Sequence, residues 1–168
     1  MSKKIIFSGG GTGGHIFPAI NLMKHFFDKG YKGKFVDIGC FHPTRHNNTY
    51  EMYKSGWYGI NIDLNPLTID LFNFARKKDI NINAAISNNE ENKTLYFVDE
   101  LNTQNTLEAN HLLFLKNHHN LKEEEISEQT IKTRRLDKIL DSYNFNEIDF
   151  MNIDVEGHEL NIINSIDF

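Results

Sequence analysis

Three groups of residues in this 168-residue chain have types and spacings that chemistry can use. The first is a glycine run, Gly9-Gly10-Gly11-Thr12-Gly13-Gly14-His15, between a short apolar run and a helical pattern. It contains G-x-G-x-x-G, and backbone amides in such a loop can cradle a phosphate. A dinucleotide site also wants an acidic residue about 20 positions on, at the end of the second strand. Position 34 is lysine and Asp37 lies inside the second strand, so a plain tight turn is an equal reading. The second group is Gly39, which follows Phe35 to Ile38, and Asp63, which ends the next apolar run. A glycine there lets the backbone approach a ligand, and a strand-end carboxylate accepts both ribose hydroxyls. No phosphate cradle accompanies this pair, which points to S-adenosylmethionine rather than a pyrophosphate-bearing dinucleotide. The third group is Asp154, Glu156 and His158, at the end of an apolar strand pattern.

The elements that must carry these residues alternate in an α/β order. Strand patterns cover Lys4 to Phe7, Phe35 to Ile38, Gly59 to Ile62, Ile80 to Ile86, Thr94 to Val98 and Ile148 to Val155. Helical patterns cover His15 to Lys29, Thr49 to Lys54, Leu107 to Glu125, Leu136 to Tyr143 and His158 to Ser165. Gln129 to Thr133 reads as extended. Asn65-Pro66 opens another helix, with an N-cap before a proline, and it runs to about Arg76 with Leu67, Leu71 and Phe74 inward. The strands at 35–38, 60–62, 80–86 and 148–155 are expected in one parallel sheet, ordered third, second, first, fourth. The strand at 4–7 is expected at an edge or beside the sheet.

Composition narrows the function classes. The net charge is −5, from 18 basic and 23 acidic residues, which disfavours a general nucleic-acid binder. Cys40 is the one cysteine, so no intramolecular disulfide or cysteine-rich zinc site exists, and a cytoplasmic location is expected. The longest apolar runs are far short of the roughly 20 residues of a membrane helix. No metal site is expected: His118 and His119 are adjacent and point apart on a helix. His42 and His46 fall in the loop after Gly39, within reach of a ligand, and Trp57 reads as core.

Two resemblances add to this reading. The stretch Phe7 to Ala19 resembles the N-terminus of the MurG glycosyltransferase family, with His15 at the position of a histidine implicated in activity. That likeness covers about residues 1–32 and omits the nucleotide-sugar domain. From about residue 33 the chain resembles the FkbM family of S-adenosylmethionine-dependent methyltransferases. The matching stretches include Val36 to Pro43, Asn48-Thr49-Tyr50, Gly56 to Asp63, Asn83 to Ser87, Leu136 to Leu140 and Ile148 to Glu159, in the family's order. The resemblance implies a Rossmann-like methyltransferase fold with a mostly parallel sheet, and O-methylation of a sugar or secondary-metabolite hydroxyl. It implies Asp37 and Gly39 along the methionine moiety, Asp63 on the ribose, and Ile86 and Ser87 near the adenine. The family continues into further strands past the position of Phe168. The domain at 33–168 is therefore expected to be incomplete, poorly covered at Leu160 and Ile163, prone to self-association through a sheet edge, and weak in activity.

Methyl transfer needs an acceptor oxygen in line with the methyl group and a base for its proton. His158 is the natural base, with Asp154 and Glu156 beside it; equally, the two carboxylates can serve only to shape the turn and cap the last helix. The acceptor is a small molecule or a glycan. Two alternatives stand beside this function: a fragment of a MurG-like UDP-N-acetylglucosamine transferase, and an inactive nucleoside-binding or interaction module.

Overall fold

The computed structural model describes residues 4–8, 21, 24–99, 105–118 and 121–166. In chain order the strands are β1 (Ile5–Ser8), β2 (Lys34–Ile38), β3 (Tyr58–Asp63), β4 (Ile80–Asn83), β5 (Ala85–Ile86), β6 (Asn92–Phe97), β7 (Ser127–Arg134) and β8 (Phe150–Ile153). The helices are α1 (Tyr50–Lys54), α2 (Pro66–Ala75), α3 (Ala109–His118), α4 (Leu136–Ser142) and α5 (Glu159–Ile163), with a 3-10 turn at Glu123–Glu125. The chain divides into two compact units: Met1–Ala84 with Phe145–Asp154, and Ala85–Asn144 with Val155–Phe168.

The first unit holds a five-stranded sheet in the order β1-β8-β2-β3-β4, parallel throughout. Its central strands are short apolar runs buried on both faces, as parallel strands must be. The expected order of the four main strands holds, and β1 takes the edge, pairing Ile5 to Ser8 with Phe150 to Ile153. Phe35, Met52, Trp57 and Phe150 form a core against which Ile5, Phe7 and Phe27 pack. Trp57 is core, as its type suggests. Gly59 is required by close packing, because a Cβ there would lie 2.2 Å from the Phe35 carbonyl oxygen.

Helix α2 begins as expected, with Asn65 Oδ1 accepting from the Leu67 N–H and Pro66 at its first position. Its inward face is different. Thr68, Ile69 and Phe72 are buried, whereas Leu67 and Leu71 are exposed and Phe74 is 81% exposed. Apolar side chains lie on both stripes of Pro66–Ala75, so periodicity alone does not choose between them. Packing on β3 and β4 selects the second stripe. The expected strand at 80–86 also breaks in two. β4 ends at Asn83, whose side chain donates to the carbonyls of Asp63 and Leu64.

The second unit contains a three-stranded sheet, β5-β7-β6, with β5 parallel and β6 antiparallel to β7. Of the helix expected from Leu107 to Glu125, the described residues show Ala109–His118 and a separate 3-10 turn. Helix α5 buries Ile162 and leaves Leu160 69% exposed.

Candidate functional site

A row of polar side chains crosses the buried centre of the first unit's sheet. Asp37 on β2 is in register with Asn61 on β3 and Asn152 on β8, so the three share one face. Asp37 is fully buried, and its carboxylate accepts from Asn47 Nδ2 (3.1 Å), Thr49 Oγ1 (2.8 Å) and Asn152 Nδ2 (2.9 Å). Buried Arg76 closes the network from the other side. Its Nη1 donates to Thr49 Oγ1 (2.9 Å), Nη2 to Asn47 Oδ1 (2.5 Å) and Nε to the Pro43 carbonyl (2.8 Å). Asn47 and Thr49 therefore bridge a buried anion and a buried cation. Burial pulls the Arg76 guanidinium below the usual arginine range, while Asp37 and Asp79 oppose that shift.

This network fixes the loop after β2. Gly39 has φ 74°, a conformation that favours glycine, and its N–H donates to the Ile62 carbonyl (2.9 Å). Phe41 and His46 hold φ values of 55° and 48°, unusual for residues with side chains. Asn47 ties the loop to the Cys40 carbonyl, and His42 Nδ1 accepts from the N–H groups of Thr44 and Arg45. His42 is thus a loop anchor. Cys40 is buried, and burial pushes its thiol well above the usual range, so it is no ready nucleophile.

Asp63 stands at the end of β3 beside this loop. Its Oδ2 accepts the Phe41 N–H (3.0 Å) and its Oδ1 the Asn65 N–H (2.9 Å). One backbone donor on each oxygen orients the carboxylate and leaves further acceptor capacity on both. Burial raises the Asp63 pKa to about 6, against the opposing pull of those two N–H bonds. Asp154 belongs to the same unit, where its N–H donates to the Ile38 carbonyl (2.9 Å).

The second unit gathers the other sequence candidates. Ile86 lies in β5 and is buried, as is Ser87 after it. His158 is 2% exposed, with Nε2 3.0 Å from Ser87 Oγ and Nδ1 2.5 Å from Glu108 Oε1. Asn161 Nδ2 lies 3.1 Å from the same Nδ1, and the Ser87 hydroxyl also has Asn88 Oδ1 at 3.2 Å. His158 is the middle of a Ser87–His158–Glu108 chain. Glu156 sits on the preceding turn with φ 51°, and its carbonyl accepts from Thr106 Oγ1. It does not cap α5; the residue at the N-cap is His158, and the Glu159 carboxylate reaches back to the Gly157 N–H.

Sequence reasoning did not single out Asn47, Arg76, Asn152 or Glu108. Asn61 and Asn152 carried a signal, a lone polar residue inside an apolar strand. Arg76 and Glu108 carried none, because a charge at a helix boundary is normally solvated. The glycine run with His15 lies outside the described residues, and so does His119. Among the described residues no cluster of three or more His, Cys, Asp or Glu side chains could hold a metal ion. No described helix is long and apolar enough to cross a membrane.

A mostly parallel sheet in this order, with an acidic residue ending its second main strand, defines a Rossmann-like methyltransferase fold. The family model described as the methyltransferase FkbM domain matches residues 26–168, and the chain belongs to that family. A shorter likeness points elsewhere. The chain is similar to the UDP-N-acetylglucosamine--N-acetylmuramyl-(pentapeptide) pyrophosphoryl-undecaprenol N-acetylglucosamine transferases of Rickettsia akari and Rickettsia canadensis. It is 49% identical to each over 39 residues, which is 23% of this chain and 10% and 11% of those proteins. The chain thus spans about a tenth of the length of the curated relatives it matches. No solved structure matches it.

Proposed function

We propose that this chain binds S-adenosylmethionine and transfers its methyl group to a hydroxyl oxygen of a small-molecule or glycan acceptor. The observation that carries the reading is the Asp63 carboxylate, oriented by two backbone N–H groups and able to accept more on both oxygens. That is what a vicinal ribose diol requires. Asp37 and Gly39 serve the methionine end by fixing the loop, and Ile86 and Ser87 serve the adenine. The bound cofactor would supply an electrophilic methyl group; this chain supplies orientation and a proton acceptor. The competing reading, transfer of a sugar from a uridine nucleotide, has support only from the short likeness. On this reading residues 1–32 are a MurG-like segment joined to a methyltransferase domain at 33–168, with β1 lending its strand to that domain's sheet. A net charge of −5 disfavours nucleic acid as a partner, and the buried lone thiol suits a cytoplasmic location.

Calorimetric titration with S-adenosylhomocysteine and, in parallel, UDP-N-acetylglucosamine tests the reading. The adenosyl ligand should bind and the UDP-sugar should not; the reverse would overturn it. Asp63→Ala should weaken adenosyl binding by about 1.5–3 kcal/mol, the range for hydrogen bonds to a charged group. Unchanged affinity in a folded variant would remove Asp63 from the site.

The raised Asp63 pKa gives a pH dependence with a definite sign. Binding of the diol needs the ionised carboxylate, so affinity should fall as pH drops through about 6. Stability moves the other way. The folded state holds this proton more tightly than the unfolded chain, so the favourable contribution is complete below the unfolded value of 3.8 and is lost as pH rises through about 6. Titrations at pH 5 to 8 should show the fall in wild type and not in Asp63→Ala.

A further inference from the structure

The loop between β2 and α1 holds a backbone that its sequence would not adopt unaided. Phe41 has φ 55°, which is uncommon for a bulky side chain. Across it the Cys40 carbonyl accepts the His42 N–H (2.7 Å), and the same carbonyl accepts Asn47 Nδ2 (3.0 Å). Strain of that kind persists only where the surroundings impose it. Its yield is one bond: the Phe41 N–H donates to Asp63 Oδ2 (3.0 Å). Loop and carboxylate belong to the same compact unit.

The next residue supplies the constraint. His42 Nδ1 accepts the N–H of Thr44 (3.1 Å) and of Arg45 (3.0 Å), with Thr44 Oγ1 at 3.4 Å. A backbone N–H can only donate, so Nδ1 carries a lone pair and the neutral ring has its proton on Nε2. Burial, and then the charges of Arg45, Arg76 and His46, push the His42 pKa below its ordinary value, which favours that neutral ring. Between the two clamped residues and the ring stands Pro43, whose carbonyl accepts Arg76 Nε (2.8 Å). The turn at 42–45 is thus pinned by an imidazole and by a buried guanidinium, and Phe41 is the residue it leads from.

We propose that His42 is a positioning residue for Asp63: by clamping the turn at 42–45 it holds the Phe41 N–H on the carboxylate that takes the ribose. The inference rests on the methyltransferase reading above. In this role His42 touches neither cofactor nor acceptor, and its effect on binding passes through Phe41 and Asp63. The task needs only an acceptor atom where Nδ1 stands. Asparagine can supply it, because its Oδ1 is two bonds from Cβ, as Nδ1 is, and an asparagine that accepts the N–H two residues on makes an ordinary Asx turn.

The test uses the full chain and calorimetric titration with S-adenosylhomocysteine. His42→Leu, which keeps apolar volume and loses the acceptor, should weaken binding by about 3–10-fold, the worth of one hydrogen bond. His42→Asn should stay within about twofold of the unmodified protein, since it restores the clamp. In an Asp63→Ala background His42→Leu should cost less than about twofold more, because the group it acts through is gone. A merely structural role would weaken both backgrounds alike. Unchanged binding in His42→Leu, an asparagine variant as weak as the leucine one, or additive losses in the double variant each overturn the proposal. A second readout needs no ligand: amide hydrogen exchange at Phe41. It should quicken at least several-fold in His42→Leu and not in His42→Asn, and unchanged exchange in His42→Leu also overturns the proposal. An unmodified protein that binds no S-adenosylhomocysteine overturns the methyltransferase reading instead, and the exchange measurement still decides whether His42 holds Phe41.

Discussion

Replacing Arg76 with methionine should cost the fold about 3–5 kcal/mol, the usual penalty for removing one partner from a buried charge network. Methionine keeps much of the volume, so the loss is electrostatic rather than a cavity. Arg76 is fully buried, donates from all three of its nitrogens, and lies over the rings of Tyr50, Tyr53 and Phe72. Without it Asn47 and Thr49 lose the donors that orient them toward Asp37. Asp79, 3.9 Å from Nη1, loses its cation while its carboxyl is already pushed up by burial. With total stability only about 5–15 kcal/mol, that is a large fraction. Urea denaturation should show a lower midpoint with an unchanged slope. Arg76→Lys should recover only part, because one ammonium nitrogen cannot reach three separate acceptors. A loss below about 1 kcal/mol in Arg76→Met would show that the network is not the support described.

A chain beginning at residue 33 should melt much earlier and associate. β1 covers the open edge of β8 along its whole length, from Phe150 to Ile153. Ile5, Phe7 and Phe27 lean on the Phe35–Met52–Trp57–Phe150 core, with Phe27 and Tyr31 against the Trp57 ring. Tyr31 also donates to Asp149 (2.9 Å). Three half-buried apolar side chains are worth about 2–4.5 kcal/mol, half the figure for full burial. For a chain of this size that is roughly 4–18 °C in melting temperature. The bared β8 edge would present unpaired backbone groups to a second copy. Scanning calorimetry and sedimentation velocity at several concentrations measure both effects. An unchanged melt and a single monomeric species would show that the N-terminal segment is a passenger.

Much of this protein could be read along the chain. Short runs rich in apolar residues between turn signals mark β2, β3 and β8 because a central parallel strand is buried on both faces. Gly39 and Asp63 were legible for a related reason. A tight turn and a strand-end carboxylate are local features, and each needs only its neighbours. Asn65-Pro66 was legible as a helix start because capping is a contact between adjacent turns. What only the tertiary structure decided is what depends on partners distant in sequence. The inward face of α2 was chosen by β3 and β4, since Pro66–Ala75 is apolar on both stripes. Arg76 became a core residue because Pro43, Asn47 and Thr49 supply acceptors that a solvated arginine would find in water. His158 lost its freedom to Ser87 and Glu108, 71 and 50 residues away. Hydrophobic periodicity reports which residues avoid water; it does not report which polar groups meet once water is gone. That pairing is fixed by geometry at the moment of burial, and it is where Asp37, Arg76 and His158 acquired their partners.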